Sequence, residues 1–153
     1  MDNQIAIAGY KLTNIHDGVS FIINLSWDLA DSNTISGIGK VIDDKGNTLV
    51  NSNIVGDFRP YWIDGPRGFM INLTGYPFVM GIPPVGEYIP PNTKLRVILN
   101  DSWNHGKNNA EFSYQLNDNW HYVDAAKVER LYFHVMAYGS KVNFDKREVN
   151  LTN

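Results

Sequence analysis

The chain has 153 residues, no cysteine and a formal charge of −3, with 43% hydrophobic, 12% aromatic and 19% charged residues. That is one domain's worth of sequence, long enough to bury a core without covalent staples. With 16 Asp+Glu against 13 Lys+Arg and no basic cluster, it lacks the electrostatic footprint that a phosphate backbone demands, which argues against a nucleic-acid partner. The absence of cysteine excludes a disulfide scaffold, a thiolate zinc site, an iron–sulfur cluster and a cysteine nucleophile. Charged residues fall below the roughly 25% usual for soluble domains, and eighteen asparagines make up the polar share, so the surface is carried largely by neutral hydrogen-bonding groups. No apolar run approaches the roughly 18 residues that span a bilayer, and no basic segment followed by a long apolar one precedes Lys11. The expectation is a soluble protein made in the cytoplasm without a Sec-type signal, release by another route remaining open.

In chain order, short alternating segments are separated by Gly, Pro, Asn and Asp clusters, and almost nothing has helical spacing over three turns. The pattern predicts strands at Gln4–Ala8, Val19–Trp27, Ser36–Ile42, Gly68–Leu73, Phe78–Ile82, Lys94–Asn100, Ala110–Leu116, Val128–Ala137 and Val142–Val149. Asp44-Lys45-Gly46-Asn47 reads as a hairpin turn into Thr48–Val50, because Gly and Asn tolerate the positive φ of tight turns. The two Ile-Pro-Pro segments, at 82–84 and 89–91, are corners or edges, since proline offers no N–H to a ladder. Asp124-Ala125-Ala126-Lys127 is compatible with one helical turn capped by Asp124. Phe112, Tyr114 and Leu116 fall on one face of their strand, and Leu131, Phe133, Val135 and Ala137 on one face of theirs. Leu95–Leu99 is more continuously apolar, which suits a strand covered on both faces. A single domain of two packed sheets is the simplest arrangement.

The most informative stretch runs from Leu95 to Phe112: an apolar strand, then a loop with the carboxylate of Asp101 and the side-chain amides of Asn104, Asn108 and Asn109, then an alternating strand. Ca²⁺ takes six to eight oxygens from carboxylates, amide and backbone carbonyls and water, so Asp101, Asn108 and Asn109 with loop carbonyls could supply most of a shell. The alternative is a polar hairpin whose asparagines cap turns.

Here the residues carry a resemblance. Gly68-Phe69-Met70-Ile71, Tyr76-Pro77-Phe78-Val79-Met80-Gly81, the run from Tyr88 to Asn100-Asp101, and Asn108-Asn109-Ala110-Glu111-Phe112-Ser113 resemble the C-terminal half of the LecA-type galactophilic bacterial lectins. The sharp element is an apolar strand ending in Asn-Asp, followed seven positions after the Asp by Asn-Asn. The likeness covers about residues 65–116, leaving 1–55 and the additional C-terminal strands of 117–153 without a counterpart. It implies a jelly-roll-like antiparallel β-sandwich, and a Ca²⁺ ion ligated by the side chains of Asp101, Asn108 and Asn109 and the main-chain oxygen of His105. It further implies a galactose-type sugar that completes the shell with two adjacent hydroxyls while Asp101 and Asn108 also hydrogen-bond to it. Ser102, Trp103, Asn104 and His105 fall within the same loop as sugar-contact candidates. The segment Asp57 to Asp64 is the positional candidate for the family's further sugar contact, through Asp64.

Trp62 and Trp103 sit among Pro, Asp and Asn, where an indole face can stack on a pyranose; the opposing reading is that each packs over the end of the core. Catalytic signatures are missing: there is no Gly-x-Ser-x-Gly elbow, phosphate-cradling glycine loop or His-Glu-x-x-His, and among sixteen acids some pair always falls at glycosidase spacing. The expectation is not an enzyme. A rival resemblance joins Val128 to Asn143 with the late strand and Gly-Ser loop of aegerolysin-like proteins, which bind membrane lipids and act with pore-forming toxin partners. A third reading is a structural assembly module. The sequence therefore leads to a Ca²⁺-mediated lectin that binds glycans or glycoconjugates, and a homo-oligomer, because linked sites add avidity to modest single-site sugar affinity.

Overall fold

The computed structural model describes residues 3–29, 33–62, 67–79, 85–100 and 108–138. These form eight strands: β1 (Asn3–Asn14), β2 (Ser20–Asp28), β3 (Thr34–Ile42), β4 (Thr48–Trp62), β5 (Arg67–Tyr76), β6 (Thr93–Asn100), β7 (Asn109–Leu116) and β8 (Asn119–Tyr138). Each pairs antiparallel with the next, and β8 returns to β1 along twelve residue pairs from Asn3↔Tyr138 to Asn14↔Ala126. The sheet is thus a closed up-and-down barrel, and the expected jelly-roll sandwich is wrong. Alternation shows that one face of each strand is covered, but a sheet curled onto itself covers that face as well as a second sheet does. Among the described residues there is no helix, and none long and apolar enough to cross a membrane.

The interior is filled by one residue in two from every strand. Leu12, Phe21, Ile23, Ile35, Val41 and Val97 are fully buried, and Phe21 meets Phe112 edge-on with ring centres 5.6 Å apart. Leu95, Val97 and Leu99 are buried while Arg96 is exposed, so β6 alternates after all and is not covered on both faces. Inward positions held by small residues explain what the pattern missed. On β4 the inward row is Val50, Ser52, Ile54, Gly56 and Phe58, whose Ser and Gly hide the period, and most of that strand was not foreseen. On β8 a bulge between Ala110 and Phe112 of the partner strand puts Val123 and then Ala126 inward, a spacing of three that imitates a helical turn. Asp124–Lys127 is strand.

The expected strand at Phe78–Ile82 does not form where it is described, since Phe78 and Val79 lie in the β5–β6 connection together with Ile89–Asn92. Residues 80–84, with the first Ile-Pro-Pro, and the expected strand Val142–Val149 lie outside the described residues. The β3–β4 turn forms as anticipated, with Gly46 at φ 86°. Its anchor is Asp43, whose Oδ1 accepts the Lys45 and Asn47 N–H groups at 2.9 and 2.8 Å and whose Oδ2 accepts the Asn47 amide at 3.0 Å. The donated hydrogen bonds of Asn47, above all from its side chain, hold this carboxyl below the ordinary range. Asn117 and Asp118, at φ 53° and 65°, make the tight β7–β8 turn.

Candidate functional site

Because the strands alternate in direction, one end of the barrel collects the starts of β1, β3, β5 and β7 and the ends of β2, β4, β6 and β8. The last inward layer at this end is aromatic. Trp27 pairs with Ala6, Phe133 with Ala8, Phe58 with Ile71 and Phe69 with Leu99, and each partner belongs to the buried interior row. Two alanines on β1 leave the room that the indole and Phe133 take up. Ring centres are 6.1 Å apart for Trp27–Phe58, Trp27–Phe133 and Phe58–Phe69. Beneath this layer the apolar core is closed. At it the rings stay partly accessible, with Phe133 42% exposed, and Val135 and Leu131 beside it are 48% and 50% exposed. The Arg130 guanidinium carbon lies 6.0 Å from the Phe133 ring centre, a cation on an aromatic face.

The polar side of this end is built by β6 and β7. Asn100 and Asn108 are both buried, and the Asn100 N–H donates to Asn108 Oδ1 at 2.7 Å, tying the strand end to the residue before β7. Asn108 Nδ2 is shut off from solvent and has no hydrogen-bond partner among the described residues. Asn109, the first residue of β7, is exposed opposite Ile98. The two adjacent amides are therefore placed differently, and an ion touching both would use the second lone pair of the Asn108 oxygen.

Asp64, Asp101, Ser102, Trp103, Asn104 and His105 lie outside the described residues, and Trp62 is the last residue of β4. β4 and β6 end, and β7 begins, at the aromatic end. Among the described residues no group of three His, Asp or Glu side chains is placed to hold a metal ion. The sequence reading missed the aromatic layer. Trp27, Phe69 and Phe133 fall in expected strands and Phe58 in the Asp57–Asp64 segment, and nothing in the sequence joins them; their common level appears once the register of four strand pairs is known. No family model and no curated protein matches this chain.

Proposed function

We propose that the protein binds carbohydrate at the aromatic end of the barrel. The observation that carries this reading is the partly accessible layer of Trp27, Phe58, Phe69 and Phe133 at the end where asparagine-rich strand termini supply hydrogen-bonding groups. A pyranose has an apolar face suited to an aromatic surface and a rim of hydroxyls suited to amides and carboxylates. The calcium part of the proposal assigns the ion to Asp101, the His105 main-chain oxygen, Asn108 and Asn109, with vicinal sugar hydroxyls completing the oxygen shell; a galactose-type sugar is the first candidate. Homo-oligomerisation would multiply weak single sites, and sedimentation velocity reads it.

The test is binding of the folded protein to immobilised glycans, with Asp101→Ala and Phe133→Ser beside the wild type. Loss in both variants is expected. Undiminished binding by a folded Phe133→Ser protein contradicts the aromatic site, and undiminished binding by Asp101→Ala contradicts the calcium assignment.

A second reading is favoured by one observation at the opposite end. Val85 is fully exposed, Tyr88 is 79% exposed, and Phe78 and Val79 stand near half exposure, all in the β5–β6 connection. Apolar side chains at a loop of this kind suit insertion into a lipid interface. Sedimentation with lipid vesicles in the absence of calcium, lost on Val85→Asp, is the result this reading requires.

A further inference from the structure

A groove of about 600 Å³ lies on the outer wall of the barrel, crossing β4 to β8. Strand register gives it two adjacent rows of outward side chains. One row runs Asp57↔Asn72↔Arg96↔Glu111, and the next runs Thr74↔Lys94↔Ser113↔Tyr122. Gly56, where β4 lies so close to the β5 backbone that a side chain would strike Asn72 and Leu73, marks one margin; the β7–β8 bulge marks the other. Four strand spacings give a path of about 19 Å.

The chemistry of the lining is mostly compensated. Arg96 donates from Nε to Asn72 Oδ1 at 3.1 Å and faces Glu111 Oε1 from Nη1 at 3.2 Å. Lys94 lies over the Trp120 ring, 5.9 Å from its centre. Three carboxylates, Asp57, Glu111 and Asp124, stand against these two cations, so the groove offers no anion site and only a weak cation field. What it offers is a dense set of short-range donors and acceptors beside a 78% exposed tyrosine ring, Tyr122. Asp57 adds an unmet demand. Its Oδ1 is closed off from solvent with no hydrogen-bond partner among the described residues, while its Oδ2 is 3.7 Å from Arg59 Nη2. The side chain as a whole is 43% exposed, so the carboxylate can turn outward to accept from a ligand, gaining a hydrogen bond with little new desolvation.

We infer that this groove is a binding site for an extended, neutral, polyhydroxylated chain, an oligosaccharide of several units. Asp57 and Asn72 accept hydroxyls at one end, and Tyr122 stacks on a ring face at the other. The inference rests on the carbohydrate reading for its ligand class and adds to it a second site that recognises chain length rather than a terminal sugar. The level of the barrel-end aromatics is not involved.

The experiment is affinity electrophoresis of the full chain through gels containing galactan, xylan, β-glucan or mannan. Wild type is compared with Tyr122→Ala and Asp57→Asn, which alter outward-facing side chains, and with Phe133→Ser at the barrel end; circular dichroism checks each fold. Retardation in at least one gel, weakened about tenfold by both groove variants and kept by Phe133→Ser, is the expected result. Retardation lost only in Phe133→Ser, or no retardation while immobilised terminal sugars are still bound, overturns the groove and leaves the barrel-end reading standing. Failure with both polysaccharides and terminal sugars overturns the two together.

Discussion

The hydroxyl of Tyr132 on β8 donates to Asn24 Oδ1 on β2 at 2.6 Å, its ring lying across Gly9 on the strand between them. Gly9 pairs with both Tyr132 and Asn24, so the tyrosine covers a residue with no side chain and ties three strands where the barrel closes. A Cβ at Gly9 would run into the ring. Tyr132→Phe should cost about 1 kcal/mol, the net worth of one hydrogen bond, and Gly9→Ala about 1–3 kcal/mol by overpacking. Urea denaturation of the two variants measures this, and a Gly9→Ala protein as stable as wild type would show that the ring is not held there.

At the end of the barrel opposite the aromatic layer a polar relay, buried at Thr93 and Ser52, joins four strands. Thr93 Oγ1 donates to Ser52 Oγ at 3.1 Å, Ser52 Oγ to Asn92 Oδ1 at 2.6 Å, and Asn92 Nδ2 to the Asn51 carbonyl at 3.0 Å. The Asn92 backbone completes the tie, donating to Gly75 and accepting from Gln115. A side chain at Gly75 would fall on Thr93 Oγ1 and Ser52. Gly75→Ala should destabilise by about 1–3 kcal/mol and Thr93→Val by about 1 kcal/mol, both read as lowered denaturant midpoints with unchanged slope. A midpoint unmoved in both would contradict the relay.

These two ties mark the limit of what the chain disclosed. Parts of seven of the strands and the Asp44–Asn47 turn were legible because period and turn chemistry are local properties of adjacent residues. Closure was not, because Gly9, Ala6 and Ala8 carry no signal of what covers them; their partners are more than a hundred positions away on β8. Long β4 and β8 were obscured by Ser52, Gly56 and the bulge at Val123–Ala126. Of the candidate site, the asparagine clustering at 100, 108 and 109 was visible, whereas the aromatic layer was not: Trp27, Phe58, Phe69 and Phe133 share no spacing and meet only through register.

Tyr10 gives a pH prediction. Burial pushes its hydroxyl up to about 12, with Arg130 opposing the rise. An ionisable tyrosine raised in the folded state protects stability in full below its unfolded value near 10, loses it as pH climbs, and has none left above 12. A shift of two units corresponds to about 3 kcal/mol. Stability measured from pH 9 to 12 should fall more steeply for wild type than for Tyr10→Phe; parallel curves would contradict the assignment.

The small residues under the aromatic layer make a further prediction. Ala8 pairs with Phe133 and is fully buried, so Ala8→Leu fills the space the ring occupies and should destabilise by about 1–3 kcal/mol. Glycan binding should weaken in the same variant as the ring is displaced. An unchanged affinity in a folded Ala8→Leu protein would place the sugar elsewhere.

The carbohydrate reading is tested most directly by a glycan-array screen of the purified protein, in calcium and again after chelation. The account predicts binding to a defined set of glycans, galactose-terminated ones first, that disappears with chelation. A folded protein that binds no glycan under either condition would contradict it.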